Sequence, residues 1–366
     1  MENGKGRHPS FGKNKADPSS SRHNRERPRS IRVHGASPAI HLARVPRREV
    51  PMPAITTHRL FGEESIKLLP TGIVASGDER TAFLIGNQGP DPFFYRFRTP
   101  NYQDCMKLGH VMHGSRMSRH LGALRADVER LPRDDAGIGR AFVLGLLSHY
   151  VLDRTAHPFI YDQQWGIQDA DSSLADAGSQ VHAVIESDLD VLMLQLKRNG
   201  ATMADYPPVK EIPTTDRVNR VAGALMSSMA KSVYDLDIGV NEYGGAVADM
   251  QLAYKVIEPA GSPLNRLACF IDTTFVEEYS LLDGLSHRVT HEVPSRTGNL
   301  DHLAWKNPFT DEESTESFPE IFDRALDDYG RTAELFMETD DMTEVTGHLN
   351  YSGRPLDADE ENDQEE

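Results

Sequence analysis

His149, Asp153 and His157 stand four residues apart and then four again. On an α-helix each step of four turns the chain by only about 40°, so the three side chains project from one face. Their company is apolar: Phe142, Val143, Leu144, Leu146 and Leu147 precede them, and Tyr150, Val151 and Leu152 lie between. A buried face with two imidazoles and a carboxylate is costly unless those groups are paired or bind a metal. A second helical stretch carries His182 and Glu186, again four apart. Any one such couple is more often a hydrogen-bonded pair than a ligand set. Two helices with inward rows of His, Asp and Glu point instead to one polynuclear metal site. Imidazole and carboxylate without thiolate suit Zn²⁺, and also Mn²⁺, Fe²⁺ or Ni²⁺. His58, His110, His113 and Asp91 are further candidates. An adjacent His-Asp dipeptide, Glu-x-x-His pairs and the HExxH motif are all absent.

The elements that must position these residues are helical throughout. Apolar spacing predicts short helices over 63–69 and 79–85, then helices over 102–131, 136–161, 175–197, 215–234, 242–257, 264–285 and 317–338. Gly86-Asn-Gln-Gly89-Pro90-Asp91-Pro92 reads as a turn. Residues 165–174 read as a polar loop and 289–308 as irregular. Ser317-Phe-Pro-Glu320 resembles a capping box. Strand signals are scarce, so the expected fold is all-α, one domain of about 290 residues.

Charge is uneven. Residues 1–52 carry 12 Lys and Arg against 4 Asp and Glu, a surplus of 8, so the remainder carries −25 within a net of −17. An acidic body lacks the basic footprint of a nonspecific nucleic-acid binder. A nuclease whose metals hold the phosphate stays open. Residues 1–51, rich in Arg, Ser, Pro and Gly, read as a disordered basic tail or an upstream extension, with Met52-Pro53 as an alternative start. Seven of the last ten residues are Asp or Glu, and residues 346–366 read as an acidic disordered tail. Two cysteines, Cys105 and Cys269, are too few for a disulfide framework or a thiolate zinc site. No apolar h-region of a signal peptide and no membrane-length apolar run is present, and the expected location is cytoplasmic.

The candidates fall in a telling order: His58 after two threonines, Gly89-Pro90-Asp91, a histidine in Gly109-His110-Val-Met-His113, His149-Tyr150-Val-Leu-Asp153 with His157-Pro158, and His182 to Glu186. This series resembles the bacterial zinc-dependent phospholipase C family, whose all-helical fold is shared with single-strand-specific nucleases. The motifs cover residues 53–190; Asn299, His302, Trp305 and Ser317-Phe318 look like its C-terminal half. The resemblance implies a single multi-helix domain of phospholipase C/nuclease type over 52–345. It implies two or three Zn²⁺ ions. One would sit among Asp91, His113 (or His110 in its place), His149 and Asp153. A second would be held by His157, His182 and Glu186. A third would use His58, with Asp153 as a bridging carboxylate. Secreted members complete that third site with their mature N-terminus, which nothing here supplies. The gap from Asp153 to His157 is also shorter than in those members. Pro158 biases His157 away from helical geometry, so His157 is expected at a helix end, turned toward His182 and Glu186.

The implied activity is hydrolysis of a phosphodiester by a metal-activated water, with Asp91 orienting or deprotonating that water. The products would be an alcohol, such as a diacylglycerol, and a phosphomonoester. The expected substrate is a small-molecule or phospholipid phosphodiester, with no stable nucleic-acid binding. A nuclease or nucleotidase on the same fold, or a metal-binding module without catalysis, are the alternatives.

Overall fold

Helix formation begins where the local sequence has no start signal. The computed structural model describes residues 54–275 and 279–362. Helix α1, Ile55–Ser65, has no capping side chain of its own. Asp190, far along the chain, accepts from the backbone N–H of Thr56 (2.8 Å) and Thr57 (2.7 Å) and so satisfies two orphan donors of its first turn. The helix expected over 63–69 is therefore only the end of α1 followed by a 3₁₀ turn, Ile66–Leu68. Helix α2, Gly77–Gly86, starts at a capping box of Ser76 and Glu79. It runs through the expected glycine-proline turn into a 3₁₀ segment, Asp91–Tyr95. The one helix expected over 102–131 is two, α3 (Tyr102–Gly114) and α4 (Met117–Glu129), separated at Arg116 with φ 59°.

Helix α5, Arg133–Ala170, is longer than its pattern suggested and holds Pro158 inside it. The polar stretch expected as a loop over 165–174 is helical to Ala170. The expectation that His157 ends the helix is overturned. A proline lacks only its own N–H, and the carbonyl it leaves unbonded is that of Arg154, four residues back. Gly353 of the C-terminal segment packs against that carbonyl, and the helix continues past it. Helices α6 (Gly178–Lys197), α7 (Asp216–Tyr234) and α8 (Glu242–Ile257) follow the expected bounds closely. The expected 264–285 helix is divided into α9 (Pro263–Phe275) and α10 (Leu281–Gly284). A two-stranded antiparallel ladder, β1 (Trp305–Lys306) with β2 (Glu313–Ser314), is the one sheet among the described residues. Helix α11, Phe318–Glu338, opens on the expected box, with Glu320 accepting from the Ser317 N–H at 2.8 Å. Helices α12 (Met342–Thr346) and α13 (Ala358–Asn362) close the chain.

Helix α5 is the core of the fold, with α2 and α11 against it and Phe142, Leu146, Leu147 and Tyr150 fully buried. Each such side chain contributes about 1.5–3 kcal/mol by leaving water. The α2 crossing is unusually close because both helices place a glycine there. A Cβ on Gly145 would lie 2.0 Å from the Phe83 carbonyl oxygen, and one on Gly86 would lie 2.2 Å from that of Phe142. The turn that follows α2 is thereby laid directly over His149.

The ends differ from expectation on one side. The basic segment 1–51 and Met52-Pro53 lie outside the described residues, as do 363–366. Residues 346–362, expected as acidic tail, are instead packed on the domain: Tyr351 is fully buried, and Leu356 and Glu361 are buried. The acidic last ten residues mask the apolar Leu349, Tyr351 and Leu356 that precede them. Among the described residues no helix is long and apolar enough to cross a membrane.

Candidate metal centre

The residues singled out from the sequence converge. His149, Asp153 and His157 rise from α5, His182 and Glu186 from α6, His58 from α1, His113 from α3, and Asp91 from the turn after α2. All eight are buried. Three groups each bring their ligand atoms within 4.8 Å of one another: His58, Asp91 and His149; His113, His149 and Asp153, which share His149 with the first; and, separately, His157, His182 and Glu186. Asp153 faces two ways, with Oδ1 3.1 Å from His58 Nε2 and Oδ2 3.2 Å from His149 Nε2. Asp91 Oδ1 lies 3.1 Å from His113 Nε2. His157 reaches the α6 pair without leaving its helix: Nε2 is 3.7 Å from Glu186 Oε1, which lies 3.4 Å from His182 Nε2.

His110, the alternative to His113, is outside these groups. Its Nδ1 lies 2.7 Å from the Met106 carbonyl and its ring stands edge-on to Phe94. Asn299 and Trp305 are structural: Asn299 accepts from Leu303 N (2.9 Å), and the Trp305 indole donates to the Glu316 carbonyl (3.0 Å).

The outer nitrogens of four of the five imidazoles are spoken for, while His58 Nδ1 is buried without a partner. Nδ1 of His113 lies 2.7 Å from the Gly109 carbonyl, that of His149 3.2 Å from the Asn87 carbonyl, and that of His157 2.8 Å from the Tyr351 carbonyl. Nδ1 of His182 lies 2.8 Å from Gln164 Oε1. A carbonyl oxygen can only accept, so a proton sits on Nδ1, and in the neutral ring the Nε2 lone pair points inward. Nε2 of His113, His149 and His182, with Asp91 Oδ1 and Glu186 Oε2, are buried with no hydrogen-bond partner. Inward lone pairs beside carboxylate oxygens, each ring fixed from behind by an acceptor, are the donor arrangement of a metal site. The thiolate-free donor set fits zinc.

Without a cation these groups polarise one another. Burial works against the Asp153 carboxylate, yet His149, His157 and His58 hold it well below its ordinary pKa. Burial is likewise overcome at Glu186 by His182 and His157, which lower it. The His157 imidazole is pushed up to about 9: burial opposes this, and Asp153 and Glu186 win. The site thus favours deprotonated carboxylates, as ligands must be.

Three supporting residues carried no motif. Tyr243 lies with its hydroxyl 3.1 Å from the Gly89 carbonyl and steadies the Asp91 turn. Gln164 backs His182. Asp190, one further turn along α6 from Glu186, caps α1 and so aims His58. It is itself clamped by His287, whose Nε2 is 3.0 Å from Asp190 Oδ2 and whose Nδ1 is 2.6 Å from Glu258 Oε1. The His182, Glu186, Asp190 row at four-residue steps was a readable signal for Asp190. His287 had none.

An all-helical domain with a buried array of histidines and carboxylates able to hold metal ions fits the phospholipase C and nuclease fold. A family model described as zinc dependent phospholipase C matches residues 57–236. Over those residues the chain matches that family, and its three candidate ligand groups accord with metal-activated hydrolysis of a phosphodiester. No curated protein matches the chain, and no solved structure does.

Proposed function

We propose that this site holds two or three zinc ions and hydrolyses a phospholipid or small-molecule phosphodiester to an alcohol and a phosphomonoester. The observation that carries it is the set of inward, unpartnered Nε2 atoms on His113, His149 and His182, beside the carboxylates of Asp91, Asp153 and Glu186. In this reading Asp91, His113, His149 and Asp153 hold one ion and His157, His182 and Glu186 another. His58 with the bridging Asp153 holds the third. Zinc, when bound, supplies a Lewis acid for the phosphoryl oxygens and makes a water nucleophilic near neutral pH. Asp91 orients the attacking water and takes its proton, held in place by the Tyr243 contact on Gly89. Water oxygen bonds to phosphorus, the bond from phosphorus to the alcohol oxygen breaks, and the alcohol leaves with a proton. The buried surroundings keep bulk water from competing. A cytoplasmic location belongs to the same reading, supported by the unpaired Cys105 and Cys269.

Metal analysis of the full chain, followed by assays on phosphatidylcholine, bis-p-nitrophenyl phosphate and single-stranded DNA, tests this. Two to three zinc ions per chain and cleavage of the first two substrates are expected, with both lost in His149→Ala and Glu186→Ala. A wild-type protein that binds no metal would sink the reading, as would metal content unchanged in both variants. Cleavage confined to DNA would replace the substrate.

A further inference from the structure

Beyond α12 the chain makes a tight hairpin over residues 349–356, closed by the bridge between Leu349 and Pro355. Asn350 organises its tip: its side-chain oxygen accepts from Ser352 N (2.9 Å) and Arg354 N (3.0 Å). Gly353 adopts φ +72°, and a Cβ there would lie 2.4 Å from the Arg154 carbonyl oxygen and 2.8 Å from Pro158 Cγ. The hairpin is therefore seated where Pro158 leaves that carbonyl without a helical donor. Two α5 side chains tie down its approach. The Tyr150 hydroxyl donates to the Leu349 carbonyl (2.7 Å), and Arg154 Nη1 to the carbonyls of Thr346 (3.0 Å) and Val345 (3.2 Å).

Seated there, Tyr351 meets three of the candidate ligands at once. Its carbonyl accepts from His157 Nδ1 at 2.8 Å, and its N–H donates to the His113 carbonyl at 3.3 Å. Its ring lies 4.8 Å from that of His113 and 5.5 Å from that of His149, centroid to centroid. It is fully buried. These contacts come from a segment more than 100 residues past the family match, which ends at residue 236.

We propose that the hairpin 349–356 is a working wall of the metal centre and that Tyr351 is a positioning residue for His113, His149 and His157. This rests on the metal-binding reading above. Main chain and ring do the positioning; the hydroxyl does not. The main-chain carbonyl fixes which nitrogen of His157 faces inward, and the ring limits rotation of His113 and His149. A loosened wall leaves ligands of the right type in the wrong orientation, and lost support of this kind typically weakens metal binding by about 10–100-fold.

The test is titration of metal-free full-length protein with Zn²⁺ and with Co²⁺, reading affinity and the visible Co²⁺ spectrum, in wild type and in Tyr351→Phe, Tyr351→Ala and Gly353→Ala. Tyr351→Phe is expected to match wild type. The other two are expected to bind about 10–100-fold more weakly, with an altered Co²⁺ band. If metal-free Tyr351→Ala has lost its helical circular dichroism, Tyr351→Leu, which keeps bulk but not the flat ring, is read instead. Wild-type affinity and spectrum in the alanine or leucine variant overturn the proposal. So does a Tyr351→Phe variant as impaired as Tyr351→Ala, since that assigns the role to the hydroxyl. A wild-type protein that binds neither ion fails the metal reading itself, a different result from either.

Discussion

Replacing Gly145 with alanine tests the architecture at its tightest point. The new Cβ would stand 2.0 Å from the Phe83 carbonyl oxygen, a backbone atom that no rotamer change can move. Ordinary contact begins at 3.4 Å, so α2 must lift off α5 by about 1.4 Å, an overpacking that typically costs about 1–3 kcal/mol. For a domain of this size the melting temperature then falls by a few degrees, at about 2–4 °C per kcal/mol. Function suffers more than stability. The turn after α2 carries Asn87, whose carbonyl holds His149 Nδ1, and Asp91. Misplacing a reacting group by about 1 Å costs on the order of 10²-fold in rate. Gly166→Ala is the control. It lies on the same helix with nothing within 4 Å of its Cβ position, so helix propensity alone makes it neutral or stabilising by up to about 1 kcal/mol. Thermal melts followed by circular dichroism and turnover of bis-p-nitrophenyl phosphate read both variants. A Gly145→Ala protein that melts and turns over like wild type would refute the claim that this crossing sets the site.

Three other perturbations probe the surroundings. His287 sits between Asp190 and Glu258; burial opposes its charge, but hydrogen bonds to both carboxylates raise its pKa to about 10. A raised folded-state pKa gives stability that is complete below the ordinary value of 6.5 and lost as pH climbs to about 10, so the melting gap between wild type and His287→Gln should shrink steadily over that span. A gap independent of pH would contradict a charged His287. Gln164→Leu removes the acceptor behind His182 and should weaken zinc binding by about 10–100-fold in a competition titration, with helical content unchanged. Tyr150→Phe removes the donor to the Leu349 carbonyl and should cost about 1–2 kcal/mol in urea denaturation; an unchanged midpoint would show that Tyr150 does not hold the hairpin.

The ligand rows were legible because their signal is local. His149, Asp153 and His157, or His182 and Glu186, declare a shared helical face through four-residue spacing, and the residue types declare the chemistry. Where the partner is distant, the same local grammar fails. Helix α1 was misplaced because its cap is Asp190, 134 residues away along the chain. The run over 102–131 hid its break because apolar spacing persists on both sides of Arg116. Pro158 signals a stop in an isolated helix, yet α5 runs on past it, with the hairpin packed on the Arg154 carbonyl. Tyr351 was lost in a segment judged by its acidic end.

One row on α5 accounts for much of the site. Gly145, His149, Asp153 and His157 follow at four-residue steps, so they lie along a single slowly turning face. The first must be glycine because the backbone of α2 arrives there, and that arrival lays the Asp91 turn over His149. The next two face His58 of α1, His113 of α3 and Asp91 of the turn after α2. The last meets α6 from within a helix that runs on past Pro158. The neighbouring row, Tyr150 and Arg154, faces the hairpin that packs against Pro158 and returns Tyr351 to the same histidines. The proline that should have ended the helix instead opens the seat for the wall of the site, and this couples the C-terminal hairpin to the geometry of His157.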